Sequence, residues 1–510
     1  MTEVTLEELA EPYLRGVLAT AGLDVEYVRG EGDRLYYRRG DEEVPVLDFV
    51  GGYGSTMLGH SNPELVAYAQ ELLAGHTPIH AQFSRHPYAN EVAARLNRII
   101  QRETGSDEPY FAIFANSGAE AIEAAMKHAE LERYTRIEGL RAEIGANLEA
   151  AKAAAAAGTV TTRGVDAVVA DVVAHNEALI AQTPLFLAPV GSFHGKLAGS
   201  TQLTYNPVYR AVFSALAAQA RFVPVDEPGA VDDIVRSESR ELHDVVVEGD
   251  RIEVVRRPFP RFCAVVLEPI LGEGGIHELP ETFVRDVRRV ATELDIPVVV
   301  DEIQSGMGRT GAFLASSHLG LRGDYYAMAK SLGGGIAKAA VMLVRASRYQ
   351  TSFEMMHSST FAKDSFSCLI AGKVLEMLEA DDGGVYRAAQ SRGTELRSAL
   401  RGLQEEFPEV LKDVRGRGLM VGLEFFEQGD ATSETLRELH GSGFFGYFLS
   451  GYLLREHGIR TFPTSSAVYT LRFEPSAYIG APDIARLTEA LRELCRQIRD
   501  TDGRRLAPIG

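Results

Sequence analysis

Three short, nearly unbroken apolar runs constrain this chain more than anything else in it: PYFAIFAN (Pro109 to Asn116), CAVVLEP (Cys263 to Pro269) and PVVVDE (Pro297 to Glu302). Without polar alternation, each run predicts a strand buried on both faces. Amphipathic patterns over Ala119 to Tyr134 and Glu281 to Leu294 follow the first two runs and predict covering helices. Strands alternating with helices give an α/β fold whose mostly parallel central sheet is flanked by helices. Ligands of such sheets bind at the carboxyl ends of the strands. That is where Asn116, Glu268 and Asp301 fall.

At 510 residues the chain is too long for one ordinary domain, which predicts two lobes. The large domain is expected over 86–370. Residues 371–510 form a smaller α+β domain, to which the segment 1–85 contributes. Beyond Ala371 the pattern turns helical, then gives a short strand pair near Ile459 to Phe473 and a last helix from Asp483 to Arg499. Two stretches read as insertions. Residues 130–183 are helical in pattern, with an alanine-rich stretch ended by Gly158, and predict a peripheral helical hairpin. Residues 244–256 alternate around Glu248-Gly249-Asp250 and predict a β-hairpin.

The formal net charge of -19 disfavours nucleic-acid partners. Cys263, Cys368 and Cys495 are far apart and form no CxxC pair. That argues against a disulfide framework or a bound metal and predicts a reducing compartment. The acidic stretch Met1 to Gly16, interrupted by Pro12, lacks the features of a signal peptide, and no run reaches the length of a membrane span. The expectation is a cytoplasmic protein with no membrane partner.

Five motifs carry chemistry. Asn116-Ser117-Gly118-Ala119-Glu120 joins a strand to a helix, where unpaired N–H groups and the helix dipole attract an anion such as a phosphate. It also fits a plain capping box of Ser117 with Glu120. Asp301 closes a strand, where a carboxylate can pair with a protonated ring nitrogen of a cofactor or simply cap a loop. Lys330 precedes Gly333-Gly334-Gly335. In a confined site its ammonium loses solvation, its pKa falls and it becomes a nucleophile for aldehydes. Lys338, in similar company, exemplifies an ordinary solvated loop lysine. Phe193-His194-Gly195 offers an aromatic ring to a flat ligand, and His357-Ser358-Ser359-Thr360-Phe361 offers hydroxyls to a phosphate.

In their order along the chain (phosphate-type turn, aromatic, strand-end acid, then lysine before glycines) the motifs resemble the class III aminotransferases of pyridoxal-phosphate (PLP) fold type I over most of the chain. NSGAEA, SFHG, LEPILGEGG, DEIQSGMGRTG with AKSLGGG, HSSTF, GHSNPELV and LRFEP each resemble a family segment. The resemblance implies a transaminase that moves an amino group between a small-molecule amino donor and an oxo or aldehyde acceptor. Lys330 would form a Schiff base with pyridoxal 5'-phosphate and shuttle the proton. Asp301 would hold the pyridinium, Gln304 would bond near the ring oxygen, and Phe193 would stack on the ring. His194 and Glu268 would belong to the cofactor site. Ser117, Gly118 and Ala119 would bind the phosphate, joined by Thr360 from the other subunit of a homodimer. As in ornithine-type and ω-aminotransferases, Arg472 would bind the donor's carboxylate, and Glu273 would neutralise Arg472 when a terminal amine takes its place.

The chain departs from the family at Ala362-Lys363-Asp364-Ser365, where many relatives have Gly-Gly-Asn-Pro, and at Ile336-Ala337-Lys338, where many have Gly-Leu-Pro. The same scaffold also serves decarboxylases, racemases and aminomutases. A second reading, an NAD-dependent oxidoreductase, rests on GxGxxG at Gly306, Gly308 and Gly311. That fingerprint belongs at the strand–helix turn itself, whereas polar residues intervene here and no helix pattern opens at Gly311.

Overall fold

The computed structural model describes residues 12–80, 84–213, 219–500 and 503–507. Residues 1–11, most of the acidic amino terminus, lie outside the described residues. The first strands are β1 (Tyr27–Glu31), β2 (Arg34–Arg39) and β3 (Glu42–Asp48), an antiparallel meander. Helix α1 (Pro87–Thr104) leads to β4 (Tyr110–Ala115), and α2 (Gly118–Ala156) follows at once. After α3 (Val165–Ile180) come β5 (Leu185–Pro189), β6 (Gln219–Val223), β7 (Glu241–Glu248), β8 (Arg251–Pro258) and β9 (Phe262–Leu267). Helix α4 (Glu281–Glu293), β10 (Val298–Asp301), β11 (Tyr325–Met328) and β12 (Ala340–Arg345) complete the central layer.

That layer is one seven-stranded sheet in the order β4-β12-β11-β10-β9-β5-β6. The pairs β5/β6, β5/β9, β9/β10 and β10/β11 are parallel. Only β12 runs the other way, antiparallel to both β11 and β4. Every residue of β5, β9, β10 and β11 is buried, which is why these strands read as continuous apolar runs. Strand β4, expected to be buried on both faces, is instead half-buried with Phe111 exposed, because it lies at the edge of the sheet.

The helix expected to stop at Tyr134 continues to Ala156. Gly139 and Gly145 lie inside it facing open space, at a cost of about 1 kcal/mol each relative to alanine. Packing offsets that cost. Ile144 and Leu148 join Val169, Val172, Leu242 and Val245 in a separate apolar cluster between α2, α3 and the hairpin β7–β8. The 130–183 stretch is therefore the far half of α2 turning back through α3. The hairpin is longer than its alternating pattern, spanning Glu241 to Pro258 around Gly249 in the left-handed region.

The main elements after the central layer are α5 (Ser365–Glu406), β13 (Leu411–Arg417), β14 (Met420–Phe425), α6 (Phe445–His457), β15 (Ile459–Arg460), β16 (Phe462–Pro463), β17 (Thr470–Phe473) and α7 (Ala481–Asp500). Helix α5 is broken at Ala380 to Gly383, where Asp381 and Asp382 take positive φ. Strands β13-β14-β17-β16 form a four-stranded sheet, while β15 pairs in parallel with β3 and so extends the amino-terminal meander. Among the described residues no helix is long and apolar enough to cross a membrane.

Candidate active site

The carboxyl ends of β4, β9 and β10 open onto a cavity of about 450 Å³ lined by Asn116 to Ala119, Phe193 to Gly195, Glu268, Asp301, Gln304 and Lys330. Residues separated by more than two hundred positions thus meet where the sheet topology predicts a ligand.

At one end lies the start of α2. Ser117 caps the helix by accepting the Glu120 N–H at 3.3 Å, and Glu120 accepts the Asn116 N–H at 2.9 Å. The serine cap therefore forms, but Glu120 reaches past Ser117 to Asn116 instead of closing the capping box on the Ser117 N–H, and the cap coexists with an anion site. The N–H groups of Gly118 and Ala119, in the first helical turn, have no carbonyl within the helix to bond. Gly118 is also required by packing, because a Cβ there would lie 2.7 Å from Ile303 Cδ1. The loop from His357 to Phe361 approaches the same turn through Ser359, whose hydroxyl accepts from Asn116 Nδ2 at 2.7 Å. Thr360 is exposed and is not among the residues lining the cavity of its own chain.

The far wall is a buried polar cluster. Asp301 accepts the Ile303 N–H through Oδ1 at 3.0 Å and contacts His194 Nδ1 through Oδ2 at 2.8 Å. Burial disfavours a charged imidazole, but the hydrogen bond and charge of Asp301 outweigh it and raise the His194 pKa. Glu268 accepts from the N–H groups of Phe193 at 2.9 Å and Gly272 at 3.1 Å. Burial pushes its pKa well above the carboxylate range, and Asp301 adds repulsion in the same direction. The partly buried Phe193 ring stands edge-on to Tyr209, with 6.2 Å between centroids.

Lys330 projects from the turn after β11 with a φ of 48°, a left-handed conformation rare for a residue with a Cβ. Burial lowers its pKa, against the opposing charges of Glu474, Glu273 and Asp301. Such strain and desolvation mark a functional amine rather than a loop lysine. Lys338 is exposed, as a solvated lysine should be, but it borders this same cavity and does not stand apart from it.

Arg472 and Glu273 are both buried and form a two-pronged ion pair, with Nη2 to Oε2 at 3.1 Å. Arg472 also donates to the Pro463 carbonyl and lies 4.7 Å from the ring centre of Tyr53. Glu273 in turn accepts the Ser465 N–H at 2.7 Å. The motif at Gly306, Gly308 and Gly311 is not a dinucleotide turn. Residues 303–313 are turns and bends with no helix opening, and side chains on Gly308 and Gly311 would collide with Tyr386 and Gln390 of α5. These glycines serve close packing. Glu474, which lies within LRFEP but does not stand out there, is a further buried member of the site: its Oε1 accepts from Gln304 Nε2 at 2.8 Å.

The model of the class-III aminotransferase family matches residues 19–494. The acetylornithine aminotransferase of Caldanaerobacter subterraneus subsp. tengcongensis is 28% identical over 473 residues, 92% of this chain and 95% of that protein. The acetylornithine aminotransferase of Thermosynechococcus vestitus is 29% identical over 410 residues, 80% and 81% of the respective chains. Among solved structures, the ornithine aminotransferase of Toxoplasma gondii, with partial occupancy of PLP at its active site, superposes with a TM-score of 0.67 at 19% identity. That match covers 94% of this chain and 92% of the other.

Proposed function

Because the chain belongs to the class III aminotransferases, PLP-dependent enzymes that pass an amino group from a donor to an oxo acceptor, we propose the following division of work among its residues. The donor set suits that cofactor: an anion-binding helix start, a strand-end carboxylate and a strained amine all face one cavity. Bound there, pyridoxal phosphate supplies an electron sink and a temporary carrier for the amino group.

The N–H groups of Gly118 and Ala119, with Ser117 holding the helix start, take the phosphate, assisted by the partner subunit's Thr360 in a homodimer. Asp301 keeps a proton on the ring nitrogen. His194 fixes the orientation of that carboxylate, whose oxygens retain lone pairs beyond the two bonds already made. Phe193 stacks on the ring, braced through its backbone by Glu268. Gln304 donates to the ring oxygen. Lys330 Nζ is the covalent attachment point and then carries the proton to and from the substrate carbon. Arg472 receives the carboxylate of glutamate after Glu273 swings aside, and the pair re-forms when a terminal amine without that carboxylate enters.

Residues 86–370 form the cofactor-binding domain, and residues 1–85 and 371–510 together make the smaller one. Three buried, unpaired cysteines support a cytoplasmic location. The observation that carries this reading is the left-handed, desolvated Lys330 sharing a cavity with the Asp301–His194 pair. The test is a single turnover of cofactor-loaded protein with glutamate. Transamination predicts one equivalent of 2-oxoglutarate per site, and racemised glutamate without 2-oxoglutarate would overturn it. Ornithine and acetylornithine, named in the relatives, head the panel of donors to follow.

A further inference from the structure

Glu474 follows β17 and is fully buried. Its backbone N–H donates to the Phe49 carbonyl at 2.7 Å, which ties it to the amino-terminal segment. Gly54 lies against this carboxylate, since a Cβ there would be in ordinary contact with Oε1 at 3.5 Å, and its φ of 84° is what favours glycine. The same Gly54 offers its carbonyl to Ser331 Oγ, beside Lys330, at 2.7 Å. Of the two carboxylate oxygens, Oε1 accepts from Gln304 Nε2 at 2.8 Å, while Oε2 is buried and has no hydrogen-bond partner among the described residues. A buried carboxylate oxygen left in that state is costly unless a cation or a donor is near.

The charged groups around it are few. Arg309 is wholly buried; among the described residues it donates to the carbonyls of Leu419, Pro475 and Gly54, its Nε is unpartnered, and Glu474 is the acid that acts most on its charge. Arg472 is paired with Glu273, and Asp301 is bonded to His194. Of the acids acting on Lys330, Glu474 is the one with an oxygen still open. A carboxylate accepts hydrogen bonds and does not donate, so it also decides which way the Gln304 amide faces. The nitrogen must lie on the Glu474 side, which leaves its second N–H for another acceptor.

We propose that Glu474 is a positioning residue of the transamination site, which fixes the Gln304 amide nitrogen toward the ring oxygen of the cofactor and holds a proton at Lys330 Nζ. The proposal rests on the cofactor placement given above, with Gln304 at the ring oxygen and Lys330 as the attachment point. Its charge opposes deprotonation of the Lys330 nitrogen, and the amide it orients steadies the cofactor without touching it.

The test uses the cofactor-loaded protein and the pH midpoint of its visible absorbance band, which reads proton loss at the Lys330 nitrogen. Glu474→Gln keeps the shape and removes the charge. Glu474 is the acid that acts most on Lys330, and losing one opposite charge from a buried site lowers the midpoint by about one pH unit. Glu474→Asp keeps the charge and shortens the reach, so it retains a midpoint near wild type but releases cofactor faster on dilution. A Glu474→Gln midpoint equal to wild type, or equal falls in both variants, overturns the proposal even if borohydride still fixes the cofactor on Lys330. Should Glu474→Gln fail to fold, Glu474→Asp decides through cofactor release, and release as slow as wild type overturns the proposal; should Glu474→Asp fail, the Glu474→Gln midpoint decides. Wild-type protein with no such band on Lys330 would instead remove the cofactor placement itself, and this proposal with it.

Discussion

Replacing Glu273 with glutamine sends glutamate and terminal-amine donors in opposite directions. In the structure the Arg472 guanidinium is buried and held by both oxygens of Glu273, by the Pro463 carbonyl and by the face of Tyr53, with Nε alone unpartnered among the described residues. When glutamate binds, one carboxylate replaces another on Arg472, so little is gained. In the Glu273→Gln variant the guanidinium waits without a counter-charge. Breaking a buried pair by removing one partner costs about 3–5 kcal/mol. If half of that is recovered when the substrate carboxylate arrives, the KM for glutamate falls by roughly 10- to 60-fold. A terminal amine brings no carboxylate and meets an uncompensated cation, so its KM rises. Steady-state kinetics with both donors measure this, and urea unfolding of the apoprotein should lose about 3 kcal/mol at neutral pH. The switch is refuted if both KM values move the same way or neither moves.

Three other outcomes follow from the same geometry. Asp301→Ala leaves His194 without its buried partner and the ring nitrogen without its anion, and kcat should fall about 100-fold or more in cofactor-saturated protein. Mixing Lys330→Ala and Thr360→Ala subunits should restore activity, since one site per hybrid dimer then has both residues intact if Thr360 acts across the interface; an inactive mixture with hybrids confirmed by native mass spectrometry argues that Thr360 acts in its own subunit. Glu302 is buried and its pKa is pushed up to about 7 by that burial, against hydrogen bonds from Ser316, Ala315 and Ser305. A raised carboxylate keeps its proton longer in the folded state. Its contribution is thus complete below the ordinary value of 4.5 and lost as pH rises to about 7, which amounts to about 3 kcal/mol in apoprotein unfolding. Glu302→Gln should flatten that slope, and an unchanged slope assigns it to other groups.

Strands β9 and β10 were legible because burial on both faces leaves uninterrupted apolar runs, and their ends carry Glu268 and Asp301; β4, which ends at Asn116, is as apolar in sequence although it is an edge strand with Phe111 exposed. The far end of α2 was not. Its two glycines and alanine-rich tail carry little local signal, and packing against α3 and the hairpin decides where it stops. Lys330 and Lys338 look alike in sequence, since both have small apolar neighbours. What separates them is the left-handed φ of Lys330 and its partial burial beside the exposed Lys338, which arise only when the turn after β11 is folded over the cavity. Contacts between distant residues were equally out of reach. His194 meets Asp301 across 107 positions, and Glu474 meets Gln304 across 170. Within LRFEP the arginine stood out as a carboxylate binder, whereas the neighbouring acid acquires meaning only from the amide it faces.

The central claim is that Lys330 is the amine holding pyridoxal phosphate, and its most direct measurement is borohydride reduction of the cofactor-replete protein followed by peptide mapping. The added pyridoxyl mass is expected on the peptide containing Lys330 and on no other. Label on the Lys338 peptide, or a loaded protein whose Lys330 peptide keeps its native mass, would contradict the account.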